Sequence, residues 1–242
     1  MKKNKRKILI IILICVSAVI TLAGFLYYNN QYYAKRLIKA IEKDDIAAVE
    51  KLMKSPFGNV NSYPGSKLLA RFVEEHLDTP LQAACSKGNY EIIKLLLDKG
   101  ANPNNVWNRE TSPLQYAACS DKEDRFAIIK LLVEKGADVN YKYGYIIGNV
   151  ILSNDRGYDT IEIIEYLEEH GAKIDGKLLV SACRAWNSEV IKYLLEERNV
   201  DINYQDSSDE TPLISFVYPY FSDREKKLKI WNFCLLRARI KL

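Results

Sequence analysis

The stretch "TPLQAACSKGNYEIIKLLLDKGANPN" (residues 79–104) decides how the rest of the chain is read. Thr79 suits a helix N-cap, because its hydroxyl accepts one of the backbone N–H groups that a first turn leaves unpaired. Pro80 suits the first helical position, where no N–H is needed. Gln82, at the third helical position, reaches back to the cap in a capping box. Leu81, Ala84 and Cys85 form a narrow apolar stripe at helical spacing, which Gly88-Asn89 breaks. Ile92, Ile93, Leu96 and Leu97 then mark the inner face of a second helix, and Gly100 falls where a left-handed C-terminal residue belongs. Two helices this short are marginal alone in water, so the unit needs neighbours of its own kind.

The chain supplies them. Ser112-Pro113-Leu114-Gln115 repeats the cap, and Thr211-Pro212-Leu213 repeats it again; Pro80 to Pro113 is 33 residues and Pro113 to Pro212 is 99. The second-helix pattern recurs as "AIIKLLVEKGADVN" (127–140), "EIIEYLEEHGAKID" (162–175) and "EVIKYLLEERNVDIN" (189–203). A fixed period near 33 predicts a stacked solenoid of two-helix units. With T-P-L-Q-x-A on one helix and L-L-x-x-G-A-D-x-N after the other, the chain resembles the ankyrin-repeat family over roughly residues 34–242. That resemblance implies an all-α solenoid of about five to six repeats, each a helix-turn-helix followed by a projecting finger loop.

The departures from the pattern are specific. Gln82 and Gln115 stand where the family places His. The third full unit opens "YIIGNVIL" (145–152) without a proline and carries extra turn residues around "NDRGYDT" (154–160). The next opens "KLLVSAC" (177–183) after a finger cut to Asp175-Gly176-Lys177, and ends on Asn199 in place of Gly. "LIKAIEKDDIAAVEKLM" (37–53) reads as the core of a degenerate first repeat spanning 34–61. "GNVNSYPGSKLLARFVEEHLD" (58–78) reads as an insertion with a short helix of its own. The regular repeats start at 79, and "REKKLKIWNFCLLRARI" (224–240) lies in an atypical last repeat spanning 211–242. End repeats are expected to be atypical, since each has one face that no neighbour covers.

Ahead of the repeat domain (29–242) stand a basic segment, residues 1–7, and an uncharged apolar run from Ile8 to Tyr28. At about 1.5 Å per residue the run spans roughly 30 Å, the hydrocarbon thickness of a bilayer. Tyr27 and Tyr28 fall at an interfacial aromatic belt. A cleavable signal peptide is the alternative, with a site after Ala23, but the run exceeds the roughly 7–15 residues of a signal's apolar region. A lipid-attachment box fits less well still, because Phe25 stands where its Cys belongs. We therefore read residues 8–28 as a transmembrane helix. Lys2, Lys3, Lys5, Arg6 and Lys7 favour a cytoplasmic N-terminus, with the repeats exported to a bacterial periplasm or the extracellular side; Lys35, Arg36, Lys39 and Lys43 beyond the run oppose that order. Removing the five leading cations from 35 basic residues leaves 30 against 31 acidic ones, so the remainder is near neutral. A nucleic-acid binder would need a basic stripe there.

Chemistry is not indicated. The five cysteines are Cys15 in the apolar run, Cys85 and Cys183 at equivalent first-helix positions, Cys119 and Cys234; no CxxC occurs, and buried apolar thiols are expected. Unpaired thiols are commoner in reducing compartments, which pulls against export. Of two histidines, His76 lies in the insertion and His170 at a helix C-terminus, where a cation is stabilising. No phosphate loop, metal-spaced cluster or nucleophile elbow is present, so no catalytic residue, metal or cofactor is assigned.

The resemblance implies that a partner protein lies along the finger loops and first helices. The fingers are "NVWNRE" (105–110), "YKYGY" (141–145) and "YQDSSDE" (204–210), and their candidate contacts are Trp107, Arg109, Tyr141, Tyr143, Tyr145 and Tyr204. Tyr, Trp and Arg dominate interface energy because they bring large contact area at low entropy cost. Tyr141 and Tyr204, directly after a hairpin Asn, suit packing as well as binding. Tyr116 on a first helix is a further candidate. The expectation is a non-enzymatic, membrane-tethered interaction module, for example an immunity protein that blocks a toxin in the envelope. The alternatives are a scaffold or chaperone for an envelope enzyme, a cytoplasm-facing scaffold, and a hydrolase with its site in 58–78.

Overall fold

A computed structural model of the chain describes residues 2–56, 58–65, 78–106, 111–153, 159–206, 208–216 and 224–239. Side chains are described throughout except at 2–9, 142–145, 224–228 and 238–239. All regular structure among these residues is helical: α1 (Lys2–Glu42), α2 (Ile46–Met53), α3 (Pro80–Lys87), α4 (Tyr90–Asp98), α5 (Pro113–Ala118), α6 (Arg125–Glu134), α7 (Tyr141–Leu152), α8 (Thr160–Glu169), α9 (Gly176–Arg184), α10 (Ser188–Lys192) with a π-helical turn (Tyr193–Glu197), α11 (Pro212–Ser215) and α12 (Arg224–Arg239). The chain divides into two units, Met1–Glu110 and Thr111–Leu242.

The expected caps form. The Thr79 hydroxyl accepts from the Gln82 backbone N–H, while the Gln82 side chain accepts from that of Thr79 at 2.7 Å. Ser112 and Gln115 make the same reciprocal pair, with the return bond at 2.8 Å. At the third copy, Thr211 caps α11 through the Ile214 amide, but Ile214 has no side-chain oxygen to return the bond. The second helices α4, α6 and α8 end in Schellman turns. Gly100, Gly136 and Gly171 are left-handed there, and the following alanine donates to Leu96, Leu132 and Leu167 at 2.9 Å in each case. Asn199 takes the left-handed position after the π turn, and Trp186 takes the one held by Gly88 between α3 and α4.

In the first unit α1 packs on α2 and α3, and α4 closes over both. Only the far end of α1 joins this core: Tyr33, Ala34, Leu37, Ala40 and Ile41 are buried, whereas residues 10–28 are exposed. α1 is long and apolar enough to cross a membrane. It runs without a break from the apolar run into the first repeat, because no glycine or proline interrupts residues 25–42. The sequence-derived boundary at 28/29 therefore lies inside one helix.

In the second unit the first helices stack in series, α5 on α7, α7 on α9 and α9 on α11, and each packs with the second helix of its own pair. Bulky β-branched and leucine side chains at i, i+3/i+4 spacing fill the seams, among them Ile128, Ile129, Leu132, Ile146, Ile147 and Ile151. The helix expected at 224–240 is α12. The short helix expected in the 58–78 insertion and most of the "NDRGYDT" turn fall outside the described residues.

One expectation is corrected. "YKYGY" (141–145) is not a finger loop; it forms the opening turns of α7. Tyr141 and Tyr145 are in phase with Asn149 and Leu152, and no proline fixes a later start, so the hydrogen-bond ladder extends back to Asn140. Successive units are also clamped in a way the motif spelling did not reveal. The Asn ending "GNVN", Asn61, donates its side-chain amide to the Gly100 carbonyl at 2.9 Å and accepts from the Asn102 amide at 2.7 Å. The Asn ending "GADVN", Asn140, makes the same bond to the Gly171 carbonyl at 2.9 Å. We expect Asn140→Ala to loosen this junction by about 1 kcal/mol, the net worth of one hydrogen bond. Hydrogen exchange of the amides around Gly171 should quicken while α9 and α10 stay protected.

Candidate functional site

The first helices of the second unit each keep one stripe out of the core. On α5 it carries Tyr116, half-buried, and ends beside exposed Cys119; on α7 it carries Asn149 and Leu152; on α9, Lys177, Ser181 and Arg184; on α11, Ile214. The spacing of 177, 181 and 184, or of 145, 149 and 152, is that of one helix face. Neighbouring stripes come close: a Cβ built on Gly148 would sit 3.5 Å from Ser181 Oγ, in ordinary contact. Leu152 and Ile214 are large aliphatic side chains left 49% and 50% exposed.

The side chains singled out from the sequence distribute unevenly over this frame. Tyr116 lies on the α5 stripe, and Tyr141 is half-buried at the start of the adjacent α7. Tyr143 and Tyr145 have their backbones on α7, with side chains outside the described set; Trp107 and Arg109 lie outside the described residues altogether. Tyr204 is spent on packing: its ring lies over Gly176, where an added Cβ would be 2.0 Å from Cγ. Leu152 and Ile214 escaped the sequence reading. A single exposed aliphatic residue carries no pattern, although the loss of Gln at the third capping-box position marks Ile214.

Trp186 is built into the fold. Its ring packs on Phe216 with centroids 4.7 Å apart, and Phe216 meets Trp231 edge-on at 5.7 Å, joining the α9–α10 turn to α11 and α12. His170 is the C-cap of α8; Nδ1 lies 2.8 Å from the Tyr166 carbonyl oxygen and its ring 4.2 Å from that of Tyr166. Charged groups near the fingers are paired, Arg184 with Glu210 at 2.6 Å and Arg198 with Glu168 at 2.9 Å. Among the described residues no group of His, Cys, Asp and Glu is placed to hold a metal ion.

The cysteines of the repeat units form no disulfide among the described residues. Burial pushes the Cys85 and Cys183 thiols up, and Cys183 also shares a hydrogen bond with Cys234, which reinforces its shift. The sequence paired Cys183 with nothing, since Cys234 belongs to α12 and reaches it only through the tertiary fold.

Serially stacked helix pairs, capped by T-P-L boxes and ended by left-handed glycines, define a helical repeat protein. Residues 37–143 match the ankyrin-repeat family model in three copies, so this part of the chain is built of ankyrin repeats. Beyond residue 143 the same order of first helix on first helix continues through α9 and α11. No curated protein shows significant similarity to the chain.

Proposed function

We propose that this protein is a membrane-tethered interaction module that grips another protein with the first-helix stripes of its second unit; Trp107, Arg109, Tyr143 and Tyr145 are proposed from the sequence as further contacts. The observation that carries this reading is the pair of half-exposed aliphatic side chains, Leu152 and Ile214, on helices whose other apolar positions are largely buried. Tyr116 and Tyr141 add aromatic area beside them. The apolar run at 8–28 would fix the module at a bilayer, which raises its effective concentration for anything else held there. The role that best fits a binding surface with a tether is immunity-type: occlusion of a toxin delivered to the envelope. A toxin gene beside this one, and protection of cells that express the pair, would support that role.

Leu152→Glu and Ile214→Glu should each weaken partner binding by about ten- to a hundredfold, the range of a buried interface anchor. Trp107→Ala and Arg109→Ala should do the same. Titration calorimetry with the purified toxin reads the effect; unchanged affinity in all four variants refutes the surface.

A cytoplasm-facing scaffold is the second reading, and the neighbouring thiols of Cys183 and Cys234 offer a way to separate it from export. In an oxidising compartment such a pair closes to a disulfide, whereas cytosol keeps it reduced. Export therefore predicts that protein extracted from membranes under acid quench is lighter by two hydrogens, in a peptide pair linking Cys183 and Cys234. A fully reduced pair would turn the repeats to the cytoplasm.

A further inference from the structure

Of the basic residues that follow the apolar run, Arg36, Lys39, Lys43 and Lys51 line one groove of about 710 Å³ between α1 and α2, whereas Lys35 and Lys54 do not. Asn29, Tyr32, Arg36 and Lys39 recur along one face of α1, and Lys43 follows in the turn after it; Ala48, Lys51 and Leu52 face them from α2, with Ser55 just beyond its end. Four cations, Arg36, Lys39, Lys43 and Lys51, thus border the groove against one carboxylate, Asp45, which accepts from the Ala48 amide as the α2 cap. The Arg36 guanidinium lies 5.7 Å from the Tyr32 ring centroid. All four cations are exposed and none is ion-paired among the described residues, so the groove holds a concentrated positive field.

The placement of the groove selects its ligand. α1 is continuous, so with about 1.5 Å of rise per residue Tyr32 stands roughly 6 Å and Arg36 roughly 12 Å beyond Tyr28. The polar layer of each leaflet is about 5–8 Å thick, and a Debye length adds about 8 Å. Asn29 and Tyr32 are then at headgroup depth, Arg36 reaches back to it, and Lys39 and the others act through the field. We propose that this groove binds the phosphate of an anionic glycerophospholipid and holds the first repeat against the membrane surface. The proposal rests on the reading of residues 8–28 as a span. The shared chemistry is a phosphate anion; the bilayer is its source because the groove opens alongside the helix that leaves the bilayer.

The test uses the full chain in nanodiscs of phosphatidylcholine, with or without phosphatidylglycerol. Lipids retained after mild detergent extraction are counted by native mass spectrometry. The chain should retain phosphatidylglycerol over phosphatidylcholine by about tenfold, the scale set by a few cations near an anionic surface. Combining Arg36→Gln, Lys39→Gln, Lys43→Gln and Lys51→Gln should abolish the preference. Changing Lys87, Lys94, Lys122 and Lys173 to Gln should leave it intact. Equal retention of the two lipids, or a preference that survives the first set, overturns the site. Loss of the retained lipid in millimolar inorganic phosphate would make the groove a receptor for free anions and also overturn it. Release of the unmodified chain from membranes by alkaline carbonate would refute the span and the groove with it; a chain that stays bound without headgroup preference refutes the groove alone.

Discussion

Asp159→Ala should destabilise the second unit by about 3–5 kcal/mol, whereas Arg125→Met should cost no more than about 1–2 kcal/mol. The two residues form one fork, Arg125 Nη2 to Asp159 Oδ1 at 2.5 Å and Nε to Oδ2 at 3.4 Å, but they are not equally sheltered. The Arg125 side chain is 4% exposed and that of Asp159 31%. Removing the carboxylate strands a guanidinium away from water, at the N-terminus of α6, where the helix dipole already disfavours a cation. Removing the guanidinium leaves a carboxylate that water still reaches, at the N-terminus of α8, where the dipole favours it. Methionine keeps most of the buried volume. Hydrogen exchange at α6 and α8 in the full chain measures both changes, and equal effects from the two variants would contradict the asymmetry. The double variant should be less destabilised than Asp159→Ala alone, because no stranded charge is left.

Gly176→Ala should cost about 1–3 kcal/mol, and Tyr204→Ala in the same chain should recover part of it. Helix propensity alone predicts the opposite sign, since alanine is the better helix former by about 1 kcal/mol. The clash decides: the new Cβ would lie 2.0 Å from Tyr204 Cγ and 2.4 Å from its Cβ, atoms that cannot swing away without moving the backbone. Tyr204 must leave the α9 N-terminus and carry the "DINYQD" segment with it. A thermal melt of Gly176→Ala, Tyr204→Ala and the double variant reads the coupling. A Gly176→Ala protein as stable as its parent would show that the ring does not rest there. The same device recurs in the first unit, where the Tyr33 ring occupies the space of a Cβ on Gly58.

Much of this was legible in the residues. Helix starts were written in Thr79-Pro80 and Ser112-Pro113, and helix ends in Gly100, Gly136 and Gly171, because capping is local chemistry between residues three to six apart. The cut finger at Asp175-Gly176-Lys177 was visible, but not the ring that makes Gly176 necessary. Where a local signal was missing, the reading slipped: without a proline to fix its start, α7 absorbed residues 141–145 that were expected to project.

The sequence by itself determined that the chain is a stack of capped helix pairs behind an apolar run, since each helix announces its termini and its inward face within a few turns. Only the tertiary structure decided what meets across those pairs. It set Cys183 against Cys234, Arg125 against Asp159 and Tyr204 on Gly176, gathered Arg36, Lys39, Lys43 and Lys51 around one groove, and left Leu152 and Ile214 uncovered. Such pairings depend on the register with which one unit lies on the next, and that register is set by the summed packing of whole helices.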